Sequence, residues 1–385
     1  MTILKAYKYR LYPTVKQEVL LNKTFGCVRV VWNHNVEVFN KFDNNLTEQE
    51  SSLTTTQLKQ KHEWMSEVSA AALQQKEMDF KTFKKNYFSK TRKKKIGRPS
   101  FKNRDSNQSY RLPNQKFTLN DDTIRLEKIG KIKLVLDRAV PIDCKFMSVT
   151  VSKNKCGQFF ASVLVECEVL PKPKTGKQIG LDIGLKMFLT GSDGIFTKPA
   201  LQFLRESQAE LKKAQRHLSR KKKGSRRCMK AKLKVARIHN KIANQRKTYI
   251  HQVTAELVAE YDFIAIEDLN VAGMLKNHKL AKSISDASFS LFYNTLSYKA
   301  AWYGKEVVKV DRWFASSKTC SCCGWVDENL TLADRVFHCK ACGLILDRDL
   351  NASRNILQEA LRIKEKAVGV NTVRRTPSEC QTKIA

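Results

Sequence analysis

No stretch of this chain approaches the roughly 20 consecutive apolar residues of a membrane-spanning helix, and the opening MTILKAYKYRLYP has no apolar signal core. A membrane partner is therefore not expected. Acid is also short: 37 Asp plus Glu stand against 71 Lys plus Arg, a formal charge of +34. That excess goes far beyond what solubility requires and implies a polyanionic partner, which without a membrane means nucleic acid. A disulfide framework is missing as well. Of the 11 cysteines in 385 residues, four are spaced for metal and the others are scattered, which suits a reducing cytoplasm, at the nucleoid if the source is prokaryotic. The length calls for two or three domains.

The most specific pattern is Cys320, Cys323, Cys339 and Cys342, a CxxC followed after a spacer by a second CxxC. Each pair lets two thiolates reach one ion from a tight turn, and two turns complete the tetrahedral sulfur shell of one structural Zn²⁺. Gly324 and Gly343 suit the turns. Cys322 is an extra thiol in the first knuckle, but the spacing favours its neighbours. The bland reading is four ordinary buried cysteines.

Along the chain, Tyr7, Tyr9 and Leu11 alternate with Lys8 and Arg10 as in a half-exposed strand, and Thr14 with Gln17 forms a capping box ahead of Leu21, Phe25, Val28 and Trp32 at helical spacing. Helix is expected to about residue 90. The run TRKKKIGRPSFKNR then forms a basic loop, in which Lys93, Lys94, Lys95, Arg98, Phe101 and Lys102 are candidate nucleic-acid contacts, with Tyr110 as a further ring. Residues 106–170 carry β signals for a small barrel or sandwich, and PKPKTGK at 171–177 reads as a linker. A strand holding Asp182, a second reaching an Asp193-Gly194 turn, and two helices joined by a basic turn follow. Arg220, Lys221, Lys222, Lys223, Arg226 and Arg227 in that turn are further candidate phosphate contacts; the alternative is a solvated face.

Three acids stand out: Asp182 in the middle of an apolar strand, Glu267 at the end of YDFIAIEDL, and Asp349 at the entry to ASRNILQEALRI. A carboxylate in or beside an apolar strand is costly to desolvate unless it is paired or metal-bound. None has a basic partner in its own strand, which argues for Mg²⁺ or Mn²⁺, two of which, about 3.5 to 4 Å apart, suit phosphodiester hydrolysis. Each acid singly could be a surface carboxylate or a cap. Asp347 competes with Asp349 for the third place, Asp268 is expected to point away from Glu267, and Asp193 and Asp311 are read as a turn and a strand end.

An Asp early, a Glu on a later central strand and an Asp on a terminal helix resemble the ribonuclease-H-like fold of RuvC nucleases. The strings GLDIGLK, IAIEDLN, SSKTCSCCG and DRDLNASRNI, with KAYKYRLYPT, FGCVRVVWN and IGRPSFK, resemble TnpB, the transposon-encoded family ancestral to type V CRISPR effectors. The resemblance covers residues 1 to about 358. It implies a multidomain α+β protein: a wedge-like β-barrel (1–12 and 106–170), a helical recognition insertion (13–105), a RuvC-like α/β nuclease domain (178–318 and 344–358), an inserted zinc ribbon (319–343) and a mobile tail (359–385). It also implies that Asp349, not Asp347, joins Asp182 and Glu267. The expected activity is RNA-guided cleavage of duplex DNA beside a short target-adjacent motif, by a monomer on a guide RNA from the transposon end. A nuclease-inactive guide-directed repressor and a direct DNA transposase are the alternatives.

Overall fold

The computed structural model describes residues 1–41, 53–91, 95–331 and 333–367. The chain folds into two compact units, Thr2–Glu168 and Val169 onward. Among the described residues no helix is long and apolar enough to cross a membrane.

The first unit opens with β1 (Thr2–Tyr12), where Ile3, Tyr7, Tyr9 and Leu11 are buried and Lys8 is exposed, the period of two that the alternation dictates. Helix α1 (Val15–Lys41) begins at the expected capping box: Gln17 N donates to Thr14 Oγ1 at 3.4 Å, and Thr14 N donates to Gln17 Oε1 at 3.0 Å. Leu21, Phe25 and Val28 are buried on its inner face, whereas Trp32 is only partly covered. Helices α2 (Thr55–Lys61) and α3 (Ala70–Tyr87) follow. The remaining strands are β2 (Gln108–Pro113), β3 (Phe117–Leu119), β4 (Thr123–Leu126), β5 (Gly130–Val135), β6 (Lys145–Lys153) and β7 (Phe159–Glu168). They form one antiparallel sheet in the order β2-β6-β7-β1-β5-β4-β3, which curls into a nearly closed barrel. Tyr110, read from sequence as a ring open to nucleic acid, is instead buried in β2 with its ring 5.6 Å from that of Phe25. Its register against Val151 turns it inward.

The second unit holds β8 (Gln178–Asp182), β9 (Met187–Gly191), β10 (Thr197–Pro199), α4 (Phe203–Glu206), α5 (Gln208–Ser219), α6 (Arg226–Glu260), β11 (Phe263–Glu267), α7 (Val271–Met274), α8 (Ala281–Ala287), α9 (Phe289–Tyr303), β12 (Glu306–Val310), β13 (Val336–His338), β14 (Ile345–Asp347) and α10 (Arg348–Ala367). Five strands make a mixed sheet ordered β10-β9-β8-β11-β12, with β8, β11 and β12 parallel and β9 and β10 antiparallel. Its core gathers Ile179, Leu181, Phe188, Ile264 and Ile266 from the strands, Val253 and Leu257 from α6, and Phe289 and Phe292 from α9.

The structure adds detail at three of the expected boundaries. The 171–177 segment is strapped down: Thr175 N and Gly176 N each donate to Asp262 Oδ2 at 2.7 Å, and the buried Lys305 ammonium pairs with Asp262 and donates to Pro173 O. The ribbon reaches Asp347, because β14 pairs with β13 and runs straight into α10. Helix α10 continues to Ala367, past the point at which a mobile tail was expected to begin; residues 368–385 lie outside the described residues.

Candidate active site and metal centre

Asp182 and Glu267 are the last residues of two adjacent parallel strands. The ladder pairs Ile266 with Leu181, so the next step along both strands places the two carboxylates side by side at the carboxyl edge of the sheet, where open α/β sheets carry their sites. Asp182 thus lies at a strand end rather than mid-strand, and Gly184 falls in the following connection.

The third acid is delivered by α10, which packs on β8. Gly180 permits this approach: a Cβ there would sit 2.2 Å from Ser353 O and 2.7 Å from Leu357 N. With the helix this close, its first turn brings Asp349 to Asp182. Burial pushes the Asp182 carboxyl up to about 7, and repulsion from Asp349 and then Glu267 adds to the shift, against the pull of the Arg348 guanidinium. Burial raises Glu267 as well. Burial and neighbouring negative charge acting together on one carboxyl are a pattern of functional sites.

Hydrogen bonds distinguish Asp347 from Asp349. Asp347 Oδ1 accepts from the backbone N–H of Asp349 at 2.9 Å and of Leu350 at 3.1 Å, so Asp347 caps α10. Asp349, the second residue of the helix, is the one of the pair whose charge reaches Asp182. Asp268 points elsewhere, as expected: Arg312 at 2.8 Å and Lys309 at 3.3 Å hold its carboxyl below the usual range. Asp193 closes its turn by accepting from Ile195 N and Phe196 N and from the Tyr261 hydroxyl, and Asp311 Oδ1 accepts from Trp313 N.

Two neighbours escaped the sequence reading. Arg348, whose side chain is only 12% exposed, donates from Nη2 to Asp349 Oδ1 at 3.3 Å and from Nη1 to Thr331 O at 3.2 Å. Its place between the two acids of the DRD string was the available signal. Tyr293 of α9 donates its hydroxyl to Glu267 O at 2.7 Å and fixes that strand end; nothing local marks it.

The four cysteines converge as predicted, with their sulfurs all within 4.8 Å of one another. Cys320 and Cys342 sulfurs are 3.7 Å apart, and those of Cys323 and Cys339 3.5 Å. Four thiolates about 2.3 Å from one ion in a tetrahedron would lie about 3.8 Å apart, so the spacing fits Zn²⁺. Backbone N–H groups of Cys322 and Cys323 are directed at the Cys320 sulfur, and those of Ala341 and Cys342 at that of Cys339. Gly324 (φ 80°) and Gly343 (φ 75°) close the two knuckles in the left-handed region.

Of the candidate nucleic-acid contacts, Lys93 and Lys94 lie outside the described residues. Lys95, Arg98 and Phe101 are exposed in a segment without helix or strand. Lys102 has an internal partner: its ammonium lies 3.9 Å from the Trp32 ring centroid, and its backbone is clasped by Asn33 in both directions. The second basic run joins α5 to α6 as expected, with Arg220, Lys222, Lys223, Arg226 and Arg227 exposed and Lys221 partly covered. The fatty contact beneath it, Leu211 and Ala214 against Ile238 and Ile242, zips the two helices together.

Comparison with known proteins agrees along the whole chain. The family model described as "Probable transposase" (OrfB_IS605) matches residues 162–278, a Cas12f1-like TNB domain matches 289–356, and the helix-turn-helix domain of OrfB_IS605 matches 1–38, which here form one strand and one helix. A Streptomyces pristinaespiralis protein named "Putative RNA-guided DNA endonuclease" is 38% identical over 97% of this chain and 93% of its own length. InsQ of Escherichia coli K12, similarly named, is 32% identical over 93% of this chain and 92% of its own length. The chain in a cryo-EM structure of the Cas12f1-sgRNA-target DNA complex superposes with a TM-score of 0.51 at 15% identity, covering 92% of this chain and 98% of that one, a likeness of fold. The chain belongs to the TnpB family, the IS605 OrfB proteins related to type V CRISPR effectors.

Proposed function

We propose that this protein is an RNA-guided DNA endonuclease whose nuclease centre is Asp182, Glu267 and Asp349. The observation that carries the reading is the convergence of these acids at the carboxyl edge of a five-stranded sheet, with Asp182 pushed up to about 7 by burial and by the two others. The sheet order and strand directions support a ribonuclease-H-like, RuvC-type domain. Relatives named for RNA-guided DNA cleavage, and a fold shared with a protein solved with guide RNA and target DNA, support the same substrates here.

The donor set of three carboxylates with hard oxygens fits Mg²⁺ or Mn²⁺, and divalent ions held there would activate a water and stabilise the leaving 3′ oxygen. The chain's own residues prepare the centre. Asp182 and Glu267 are fixed by the strand ladder, and Glu267 further by the Tyr293 bond to its carbonyl. Asp349 is oriented by its helix, whose start Asp347 caps, and Arg348 offsets part of the negative charge. Base pairing to the guide would supply target sequence, while the exposed basic segments around Arg98 and Arg220–Arg227 would hold backbone phosphates. One Zn²⁺ on the four cysteines would staple the ribbon.

The test is purification with co-expressed flanking RNA, sequencing of that RNA, and incubation with matching duplex DNA. Cleavage that requires both the RNA and Mg²⁺ or Mn²⁺ is expected, with one equivalent of zinc in the protein. Guide-directed binding without cleavage would mean a repressor, and strand joining without RNA a transposase.

A further inference from the structure

Asn351, Asn355 and Gln358 recur at four and then three residues along α10, so they share one side of it, next to the side that Ser353 and Leu357 present to Gly180 of the sheet. All three amides are used on the ribbon. Asn351 Oδ1 accepts from Ser321 N at 2.9 Å, and its Nδ2 donates to Thr319 O at 2.7 Å. Asn355 Nδ2 donates to Ser316 O at 2.8 Å and also to Thr319 O, and Gln358 Nε2 donates to Ser321 O at 2.9 Å. The backbone groups they hold flank Cys320, the first sulfur of the cluster.

The burial makes these bonds decisive. Asn351 is 0% and Asn355 3% exposed. A buried amide left without partners costs about 1–3 kcal/mol, so a sequence that needed only packing here would carry Leu or Ala. Asn351 must accept from one backbone group and donate to another at once, which an amide can do and a carboxylate or a methyl group cannot. The other arm of the ribbon holds the same helix start: β14 runs into α10 without a break, Arg348 N donates to Arg335 O at 2.8 Å, and Arg348 Nη1 reaches Thr331 O. The first turn of α10, which carries Asp349, is therefore gripped from both sides of the four-cysteine cluster.

We infer that Asn351 and Asn355 are positioning residues that bolt the cysteine ribbon to α10, so that the ribbon sets where Asp349 stands relative to Asp182 and Glu267. This rests on the nuclease reading of those acids. The ribbon then contributes to the metal site without supplying a ligand to it, and the two metal centres are coupled through about one helical turn of backbone.

The test uses the full chain purified with its RNA, and Mn²⁺ as the probe, with free Mn²⁺ read by electron paramagnetic resonance. Asn351→Ala and Asn355→Ala should keep one zinc and their RNA affinity, yet bind Mn²⁺ about 10- to 100-fold more weakly, the loss typical of residues that orient a ligand. Raising Mn²⁺ should restore their DNA cleavage, which it would not do for a variant that was merely unstable. Asn351→Asp matches the amide in shape but loses the donor to Thr319 O, and carries the test if the alanine variant does not fold; it too should weaken Mn²⁺ binding. Unchanged Mn²⁺ affinity in zinc-containing Asn351→Asp and Asn355→Ala overturns the inference. Because Mn²⁺ binding is read without DNA, a wild-type protein that binds Mn²⁺ at the acids but cuts nothing would sink the nuclease reading separately.

Discussion

The α-carbon of Gly180 faces the carbonyl oxygen of Ser353 so closely that any side chain at residue 180 would occupy the space of the helix backbone. The obstacle is a main-chain atom, which cannot rotate away as a side-chain tip can. Gly180→Ala must therefore push α10 off β8 and carry Asp349 away from Asp182. Overpacking of this kind costs about 1–3 kcal/mol, and a small displacement of one carboxylate is enough to remove most of the cleavage rate. A purified Gly180→Ala protein that melts at the wild-type temperature and cuts at the wild-type rate would show that the helix yields to a methyl group without moving Asp349.

Asp347 and Asp349 stand two residues apart, yet their surroundings differ. Asp347 accepts two backbone N–H groups, so Asp347→Ala should cost about 1 kcal/mol of stability, the usual worth of a helix cap. Cleavage should persist within about tenfold, since the acids themselves remain. On the proposed reading, in which these side chains would hold metal and not nucleic acid, Asp182→Ala, Glu267→Ala and Asp349→Ala should each reduce cleavage below detection while guide and target affinities stay within a few fold. Single-turnover cleavage alongside filter binding measures both; cleavage surviving in Asp349→Ala but lost in Asp347→Ala would reverse the assignment.

What could be read before the fold was known is what depends on near neighbours. The alternation of Tyr7, Tyr9 and Leu11, the Thr14–Gln17 box and the cysteine spacing each encode geometry within a few residues, and each is found where expected. Misreadings came where a distant partner decides. Tyr110 is turned inward by its register with β6. The 171–177 segment lies next to the division between the two units, and only the fold shows that Asp262 and Lys305 fasten it. At the candidate site, Asp182, Glu267 and Asp349 could be picked out and lie together in the fold, but the start of α10 is fixed by the β13–β14 hairpin, so only the fold shows which aspartate caps the helix and which lies near Asp182.

The raised Asp182 carboxyl gives stability a definite pH dependence in Mg²⁺-free buffer. Its folded value of about 7 lies above the unfolded value near 3.8, so between these limits the folded state holds the extra proton. Stability from this group is then full at low pH and declines as pH rises through about 7, where a charge must be buried beside two like charges. Asp182→Asn carries no such charge. Its melting temperature relative to wild type should rise from pH 5 to pH 8, and saturating Mg²⁺ should remove the difference by stabilising the wild type. A difference that stays flat across this range would show that Asp182 is ionised throughout and is better solvated than its surroundings indicate.

The turn between α5 and α6 places Arg220, Lys222, Lys223, Arg226 and Arg227 in solvent with no acid in the first turn of α6 to offset them. Positive charge at a helix N-terminus opposes the helix dipole and is a small local cost, of about 0.3–1 kcal/mol per charge. Packing of Leu211 and Ala214 against Ile238 and Ile242 holds the helix pair regardless, so the charges are free to serve a polyanion. Replacing Lys221, Lys222, Lys223, Arg226 and Arg227 by Gln should leave the fold intact and flatten the slope of log affinity against log salt by up to about 0.9 per phosphate contact on duplex DNA. The loss should be nearly the same for every target sequence, because phosphates carry none of it. Guide and target binding across a salt series decides the matter: if affinity and slope both match wild type, this run is a solvated surface, and phosphate contacts must be sought at Lys95, Arg98 and elsewhere.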